Sequence, residues 1–588
     1  MTRRRADWRE LVAAACLAGM SALPQPCDGQ LAPSSATAQV HQLSEEYLAA
    51  YQRRYPEMGA GRPVSALFDN SRTAYTSWAR TERHFLSRLA RIAGNVDAVS
   101  PEAVTLALLK ERLEASQTFE GCRRELWNVS PVTGWLSEHR GYAVQQPVGD
   151  QARRSAALKR WRQLPAFIDT EIANLRFGQS LGFSAPRMLV STTVAQLDRV
   201  LAAPVRESPF YAPALRDTTP AFRDAFERLV RLKITRAIRR YRAFLQDEYL
   251  PAARETVGVS HNPGGQACFR ALIRRYTSLS STPAELDSMG RALLDRGMRE
   301  RAGTQVEQGA LPKQQSLHEK LVADSANTFR SAHEVITYAQ DAMQRAWSIA
   351  PQWFGQLPAV SLPGIDSLPG GDGSDPTAQY VAASQGDARS AVLLNLSALL
   401  KPGGKLYLER VMFHEGVPGH HFQIALQQAS SVNALNRVLW SSAFVEGWAV
   451  YSSNLADEMG LYTSTASRFP LVEAVVNDGL TFVVQSGLHA HGWSRTQAID
   501  TMLAYSADSR AEVEQEVDYY IAAPAHALAY PVGARAIDRL RTDAKLQLGS
   551  RFDVRRFHDS VLSSGPVPLG TLRSIIAKWI AREQAQAR

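Results

Sequence analysis

Apolar side chains at Phe222, Phe226, Val230, Ile234, Ile238, Tyr241 and Leu245 recur every three or four positions, with mostly polar or charged residues between them. An α-helix turns once in 3.6 residues, so this spacing gathers all seven on one stripe and predicts an amphipathic helix. Arg236, Arg239, Arg240 and Arg242 then fall on its solvated face. From about residue 40 to 350, helical-period segments alternate with short breaks, and period-two runs rich in Val, Ile and Thr are scarce. Pro and Gly mark breaks at 59–63, 178–186, 208–220 and 262–265. A loop dense in Pro, Gly and Asp runs from Pro358 to Pro376, and the best strand candidate follows at Ala391 to Leu396. The turn Lys401-Pro402-Gly403-Gly404 leads from it into another helix. The pattern predicts a mainly α protein with a small β element beside that helix, and a strand edge there could hold an extended peptide by main-chain hydrogen bonds.

With 588 residues, 45% hydrophobic and 21% charged, the chain has globular composition, which excludes disordered, collagen-like and fibrous classes. It is long enough to build a large core around a deep cleft. The net charge of +9 is spread along the chain, so nucleic acid is not implied as a partner. Four cysteines are too few for a disulfide scaffold or a cysteine-ligated zinc array. Arg3, Arg4 and Arg5 precede an apolar stretch from Leu11 to Leu23, shorter than the ~20 residues of a membrane span but suited to a secretory signal. Cleavage after Ala36-Thr37-Ala38 would give a secreted or periplasmic chain without Cys16 and Cys27, and attachment of lipid at Cys16 is the weaker alternative. No later run is apolar enough to span a bilayer. Cys122 and Cys268 would remain, either paired in an oxidising compartment or as two separate buried thiols.

The helix after Gly404 carries the candidate chemistry. His414, His420 and His421, three of 13 histidines, fall within eight positions and beside Glu415. A hydrolytic zinc needs about three protein ligands, an open position for water and a carboxylate to take the water's proton. His414-Glu415 begins H-E-x-x-H, in which i and i+4 place two imidazoles on one helical face, but Pro418 stands where the second histidine belongs. On a straight helix His420 would lie about 240° round from His414 and about 9 Å along the axis. Pro418-Gly419 opens two readings: a two-residue bulge that returns His420 to face His414, or a helix that ends at Gly416 with the histidines on the next one. In the bulge reading His421 points about 100° away, toward the ligands' surroundings or substrate, and is the alternative ligand. Further on, Glu446 interrupts the apolar run Ser442 to Tyr451. A buried glutamate requires a partner, either a metal or an arginine.

His-Glu-x-x-Pro-Gly-His followed by Glu446-Gly447-Trp448-Ala449-x-Tyr451 resembles the bacterial family catalogued as "domain of unknown function 885", grouped with the glutamate-zincin metallopeptidases. Ser486 to Trp493, Arg551 to His558 and Gly565-Pro566-Val567-Pro568-Leu569 extend the resemblance over most of the chain after the signal. The resemblance implies a helix-rich, metallopeptidase-like fold, a zinc ion held by His414, His420 and Glu446, and Glu415 as general base. It also departs from the family pattern. Gln485-Ser486 replaces Asp-Thr before Gly487-Leu488-His489, Tyr519-Tyr520 replaces Arg-Tyr, Pro524-Ala525-His526 replaces Pro-Gly-Gln, and Pro531 follows Tyr530 in place of Lys. The metal motif is intact while the rim differs. His489 and Tyr530 are candidate donors to a developing oxyanion, or else packed core residues.

Residues 1–38 therefore read as a signal, 39–350 as a helical region and 351–588 as the catalytic region, the two halves forming one unit. The leading expectation is an exported zinc metallopeptidase acting on short peptides, with no transmembrane span in the mature chain. The alternatives are a zinc-dependent amide or ester hydrolase of non-peptide substrates and a non-enzymatic helical binding protein. No G-x-S-x-G elbow is present, which disfavours serine hydrolysis.

Overall fold

The computed structural model describes residues 35–58, 63–97, 100–307, 317–368, 377–383, 389–429 and 434–586. The expected signal segment, with Cys16 and Cys27, lies outside them. Helix α1 (Ser35–Arg54) packs with α2 (Arg72–Ala93) and α3 (Pro101–Glu120). The expected cut after Ala38 falls in the first turn of α1, ahead of the buried Val40.

The predicted amphipathic stripe is buried along its whole length, from Phe222 to Leu245, inside a continuous helical run from Pro220 to Ala252. Its first five members are spaced by four, which on an ideal helix drifts about 40° per step. Two wider π turns, Val230–Ile234 and Leu245–Tyr249, take up the drift and keep the stripe inward. On the outer face Arg240 and Arg242 pair with Asp169 and Asp198, each at 2.8 Å.

Next come α4 (Gly265–Thr277), α5 (Pro283–Glu307) and α6 (Ala332–Ile349). Cys122 and Cys268 form a disulfide that ties the end of α3 to α4, so the paired alternative holds. A three-stranded sheet of β1 (Gly364–Ser367), β2 (Ala378–Val381) and β3 (Ala391–Leu394) follows in the order β1-β3-β2. β1 runs parallel and β2 antiparallel to β3, with Ile365 and Tyr380 both opposite Val392. The predicted strand stops at Leu394 because the Asn395 side chain accepts the Ala398 N–H and starts a helical turn. β1 lies inside the segment read as a loop. Four residues without alternating burial left no period-two signal there.

The site helix α7 (Gly404–Glu415) begins after Gly403, which takes φ 79° in the predicted turn. It is followed by α8 (His420–Ala429), α9 (Ser442–Glu458), α10 (Thr465–His489), α11 (Arg510–Ala522), α12 (Ala529–Leu548) and α13 (Val554–Leu562). The protein is mainly α. Its largest core joins Phe269 and Met343 to Phe413, Phe422, Trp448 and Tyr530, so the site helices are built into the central packing. Helices α9 and α12 cross at Gly447 and Gly533. A Cβ on Gly533 would stand 1.7 Å from the Ala443 carbonyl oxygen, and one on Gly447 2.4 Å from the Gly533 Cα. Only hydrogen fits at either position, and this contact sets how closely α9, which carries Glu446, approaches α12, which carries Tyr530. Among the described residues no helix is long and apolar enough to cross a membrane.

The disulfide closes a loop with a sequence separation of 146. Replacing Cys122 and Cys268 together by serine is expected to cost about 2–4 kcal/mol of unfolding free energy, measured by denaturant titration. Identical midpoints for the wild type and the double variant would show that the bond contributes nothing.

Candidate metal centre

Helix α7 ends at Glu415, and the Gly416 N–H donates to the Met412 carbonyl at 2.8 Å. The Val417–Pro418 peptide is cis and α8 restarts at His420. The Gln423 N–H returns to Gly419 O at 3.0 Å and the Phe422 N–H reaches back to Gly416 O at 3.4 Å. A Cβ on Gly419 would lie 1.9 Å from the His414 carbonyl oxygen, so glycine alone lets the chain double back there. From α9, Trp448 Nε1 and Ser452 Oγ both donate to the Pro418 carbonyl, at 2.9 and 3.2 Å. The backbone therefore follows the helix-ending alternative, yet His420 still faces His414, as the bulge alternative required.

The two imidazoles stand edge to face with centroids 4.8 Å apart. Glu446 Oε2 lies 3.6 Å from both His414 Nε2 and His420 Nε2. The three ligand atoms fall within 4.8 Å of one another. Two donors bound tetrahedrally to zinc at about 2.1 Å stand roughly 3.4 Å apart, so the spacing fits with a small inward movement of the imidazoles. Two neutral nitrogens and one carboxylate oxygen are also the donor set that zinc accepts. His420 and Glu446 are buried and His414 is partly exposed, which leaves one side of the group open.

Helix α7 is held by a second buried acid, Glu409. Arg345 on α6 donates to it at 2.5 Å, and Thr463 donates through its main-chain N–H and hydroxyl at 3.0 and 2.9 Å. Glu415 next to His414 is treated differently. One carboxylate oxygen accepts the Tyr380 main-chain N–H at 2.9 Å. Burial pushes its pKa up to about 7, the His420 charge and that N–H counter the rise, and Glu446 adds to it. Tyr530 from α12 lies parallel to the His414 ring, centroids 6.3 Å apart.

The structure gathers His414, Glu415, His420, Glu446 and Tyr530, and leaves two of the expected residues outside the cluster. His421 faces the sheet, with Nδ1 3.2 Å from the Tyr380 hydroxyl and 3.4 Å from Ser390 Oγ, and burial lowers its pKa to about 4. His489 is corrected from candidate oxyanion donor to packed core residue. Its Nδ1 accepts the Val259 N–H at 3.3 Å, its Nε2 donates to Tyr520 O at 3.0 Å, and burial pushes its pKa down to about 3. Both ring nitrogens are committed to main chain. The departures from the resembled pattern gather beside Tyr530. Gln485 accepts the N–H of Ala525, which holds φ 63°. His526 bonds the Tyr519 hydroxyl and lies 6.3 Å from the Tyr530 ring. Trp448, Ser452 and Tyr380 are the residues that sequence reasoning passed over. Trp448 and Ser452 lie in or just past the quoted Glu-Gly-Trp block, whereas Tyr380 works through its main chain and left no signal in its identity.

The family described as "Bacterial protein of unknown function (DUF885)" matches residues 56–576. Two solved structures share the fold, each described as a "putative lipoprotein". The one from Colwellia psychrerythraea has a TM-score of 0.82 and 20% identity, covering 92% of this chain and 99% of its own. The one from Shewanella oneidensis, described as of unknown function, has a TM-score of 0.71 and 16% identity with the same coverage. No curated protein matches.

Zinc titration of variants checks the geometry. His420→Ala, Glu446→Ala and Gly419→Ala are each expected to abolish stoichiometric binding, while His421→Ala keeps it; the reverse result for the two histidines would reassign the ligand. A pH series checks Glu415 in metal-free protein. Its folded pKa of about 7 exceeds the usual 4.5, so its contribution is full below 4.5 and lost as pH rises to 7. Metal-free wild type should lose stability relative to metal-free Glu415→Gln across that window and run parallel to it above. A constant difference from pH 4 to 8 would refute the raised pKa.

Proposed function

The chain belongs to the DUF885 family, and we propose that it is an exported zinc-dependent hydrolase, a metallopeptidase that cuts short peptides. The observation that carries this reading is the meeting of two imidazoles and one carboxylate at zinc-ligand spacing, with a second carboxylate on the residue after His414. His414, His420 and Glu446 would hold the zinc, which when bound would supply Lewis acidity for a carbonyl and for water.

The remaining chemistry belongs to the chain. Glu415 accepts the proton of the attacking water and passes it to the leaving amine, a carboxylate directly after His414 being placed for both transfers. The Tyr380 N–H holds one of its oxygens and so fixes the direction of the other. Tyr530, stacked beside His414, donates its hydroxyl hydrogen bond to the developing oxyanion, alone now that His489 is committed elsewhere. The β2 edge next to Glu415 supports a peptide as substrate, since a strand edge offers main-chain groups to an extended chain. The altered rim at Gln485, Tyr519, Ala525 and His526 favours a second reading, in which the same centre cleaves a non-peptide amide or ester. Export rests on the N-terminal charge and apolar pattern, with lipid attachment as its alternative.

Metal analysis followed by digestion of a peptide library tests the reading. One zinc per chain and cleaved peptides are expected; zinc-free protein would favour a binding role, and zinc with ester or non-peptide amide turnover alone would favour the second reading. Glu415→Gln should keep zinc and lower kcat by about 10²–10⁴-fold, because an amide cannot accept the water's proton. Near-normal turnover in that variant with zinc bound would remove Glu415 as the base.

A further inference from the structure

We propose that His421 is a positioning residue for the base: it pins the three-stranded sheet to α8 and thereby holds the Tyr380 main chain against Glu415. This deepens the hydrolase reading and rests on it for the role of Glu415.

Adjacent residues on a helix point about 100° apart. With His420 turned to Glu446, His421 turns to the sheet, where it is 1% exposed. Its Nδ1 lies between two hydroxyls, Tyr380 Oη at 3.2 Å and Ser390 Oγ at 3.4 Å, and its ring stands edge-on to Tyr380 with centroids 5.5 Å apart. Tyr380 is on β2, and Ser390 immediately precedes β3. The Ser390 carbonyl in turn accepts the N–H of Gly364, the first residue of β1, at 2.8 Å. One imidazole thus touches two of the three segments directly and the third through Ser390.

The register of β2 shows why this reaches the base. The Asn395 N–H donates to Thr377 O at 2.9 Å. In an antiparallel pair, alternate residues exchange ladder bonds, so 377, 379 and 381 pair toward β3 and the Tyr380 main chain faces the outer edge. There its N–H meets Glu415 Oε2 at 2.9 Å. Tyr380 is therefore held at both ends, its side chain by His421 and its main chain by Glu415. A four-residue edge strand has few ladder bonds of its own and depends on such anchors. Release of the side chain lets the strand drift, and Glu415 loses the contact that aims it.

The test uses full-length protein loaded with zinc, in the variants His421→Ala, His421→Asn and Tyr380→Phe. The asparagine amide oxygen can take the place of Nδ1 and accept from the Tyr380 hydroxyl. All three are expected to bind one zinc. His421→Ala and Tyr380→Phe should lower kcat by about 10²-fold, the cost of a displaced catalytic group, with KM within about twofold. His421→Asn should recover most of the loss. Amide hydrogen exchange across β2 and β3 should speed up in His421→Ala and return toward wild type in His421→Asn. The proposal is overturned by loss of zinc in His421→Ala, by unchanged kcat, by a change confined to KM, or by an asparagine variant no better than alanine. Absence of turnover in zinc-loaded wild type would instead sink the hydrolase reading. The exchange measurement then still decides the anchor, since equal protection of the sheet in wild type and His421→Ala would overturn it.

Discussion

Everything at the candidate site depends on one backbone contact, the passage of Gly419 over the carbonyl of His414. A Cβ at that position would meet the carbonyl oxygen at 1.9 Å, so the chain can reverse there only with a hydrogen for a side chain. That reversal overcomes the six-residue offset that a straight helix would impose on His414 and His420. It is stabilised from outside by Trp448 and Ser452, which donate to the Pro418 carbonyl from α9. Because Glu446 is on the same helix as those two donors, one rigid element both shapes the turn and brings Glu446 to the two imidazoles.

Three carboxylates sit in or beside the central core, and each meets the cost of burial in its own way. Glu409 takes a guanidinium and two donors from Thr463, a closed arrangement that anchors α7 and has no capacity left for chemistry. Glu446 faces two imidazoles, an arrangement that a cation between them would satisfy better than the imidazoles alone. Glu415 receives one N–H and keeps a raised pKa, because burial disfavours its charged form and that donor and the nearby His420 only partly counter it. The contrast separates an anchoring acid from the candidate ligand and the candidate base by their surroundings, although all three are glutamates within 38 positions of one another.

The resemblance in fold to proteins of 16 and 20% identity extends over nearly their whole length, so the helical frame persists while most side chains change. In this chain the altered rim residues are not scattered. Gln485 supports the backbone of Ala525 at positive φ, and His526 with Tyr519 forms a buried pair beside Tyr530. A non-glycine residue at positive φ is strained by about 1 kcal/mol or more. The hydrogen bond from the Ala525 N–H to Gln485 helps to hold that strain, and His526 ties these changes to the Tyr530 ring.

The sequence by itself determined the helical class, the stripe from Phe222 to Leu245, the turn that starts α7, and the residue types of the candidate metal group. These depend on local periodicity, on glycine and proline at fixed offsets, and on histidine and glutamate as ligands, all of which are written in the order of residues. It left open whether the chain bulged at Pro418-Gly419 or the helix ended at Gly416, and whether Cys122 and Cys268 paired. Tertiary structure decided these, because each answer depends on a partner distant in the chain: Trp448 for the turn and α4 for the disulfide. It also chose the packed-core alternative for His489, whose two nitrogens are taken up by Val259 and Tyr520. Tyr380 was invisible for a different reason, since a main-chain N–H is common to every residue except proline and only register and proximity give it a task.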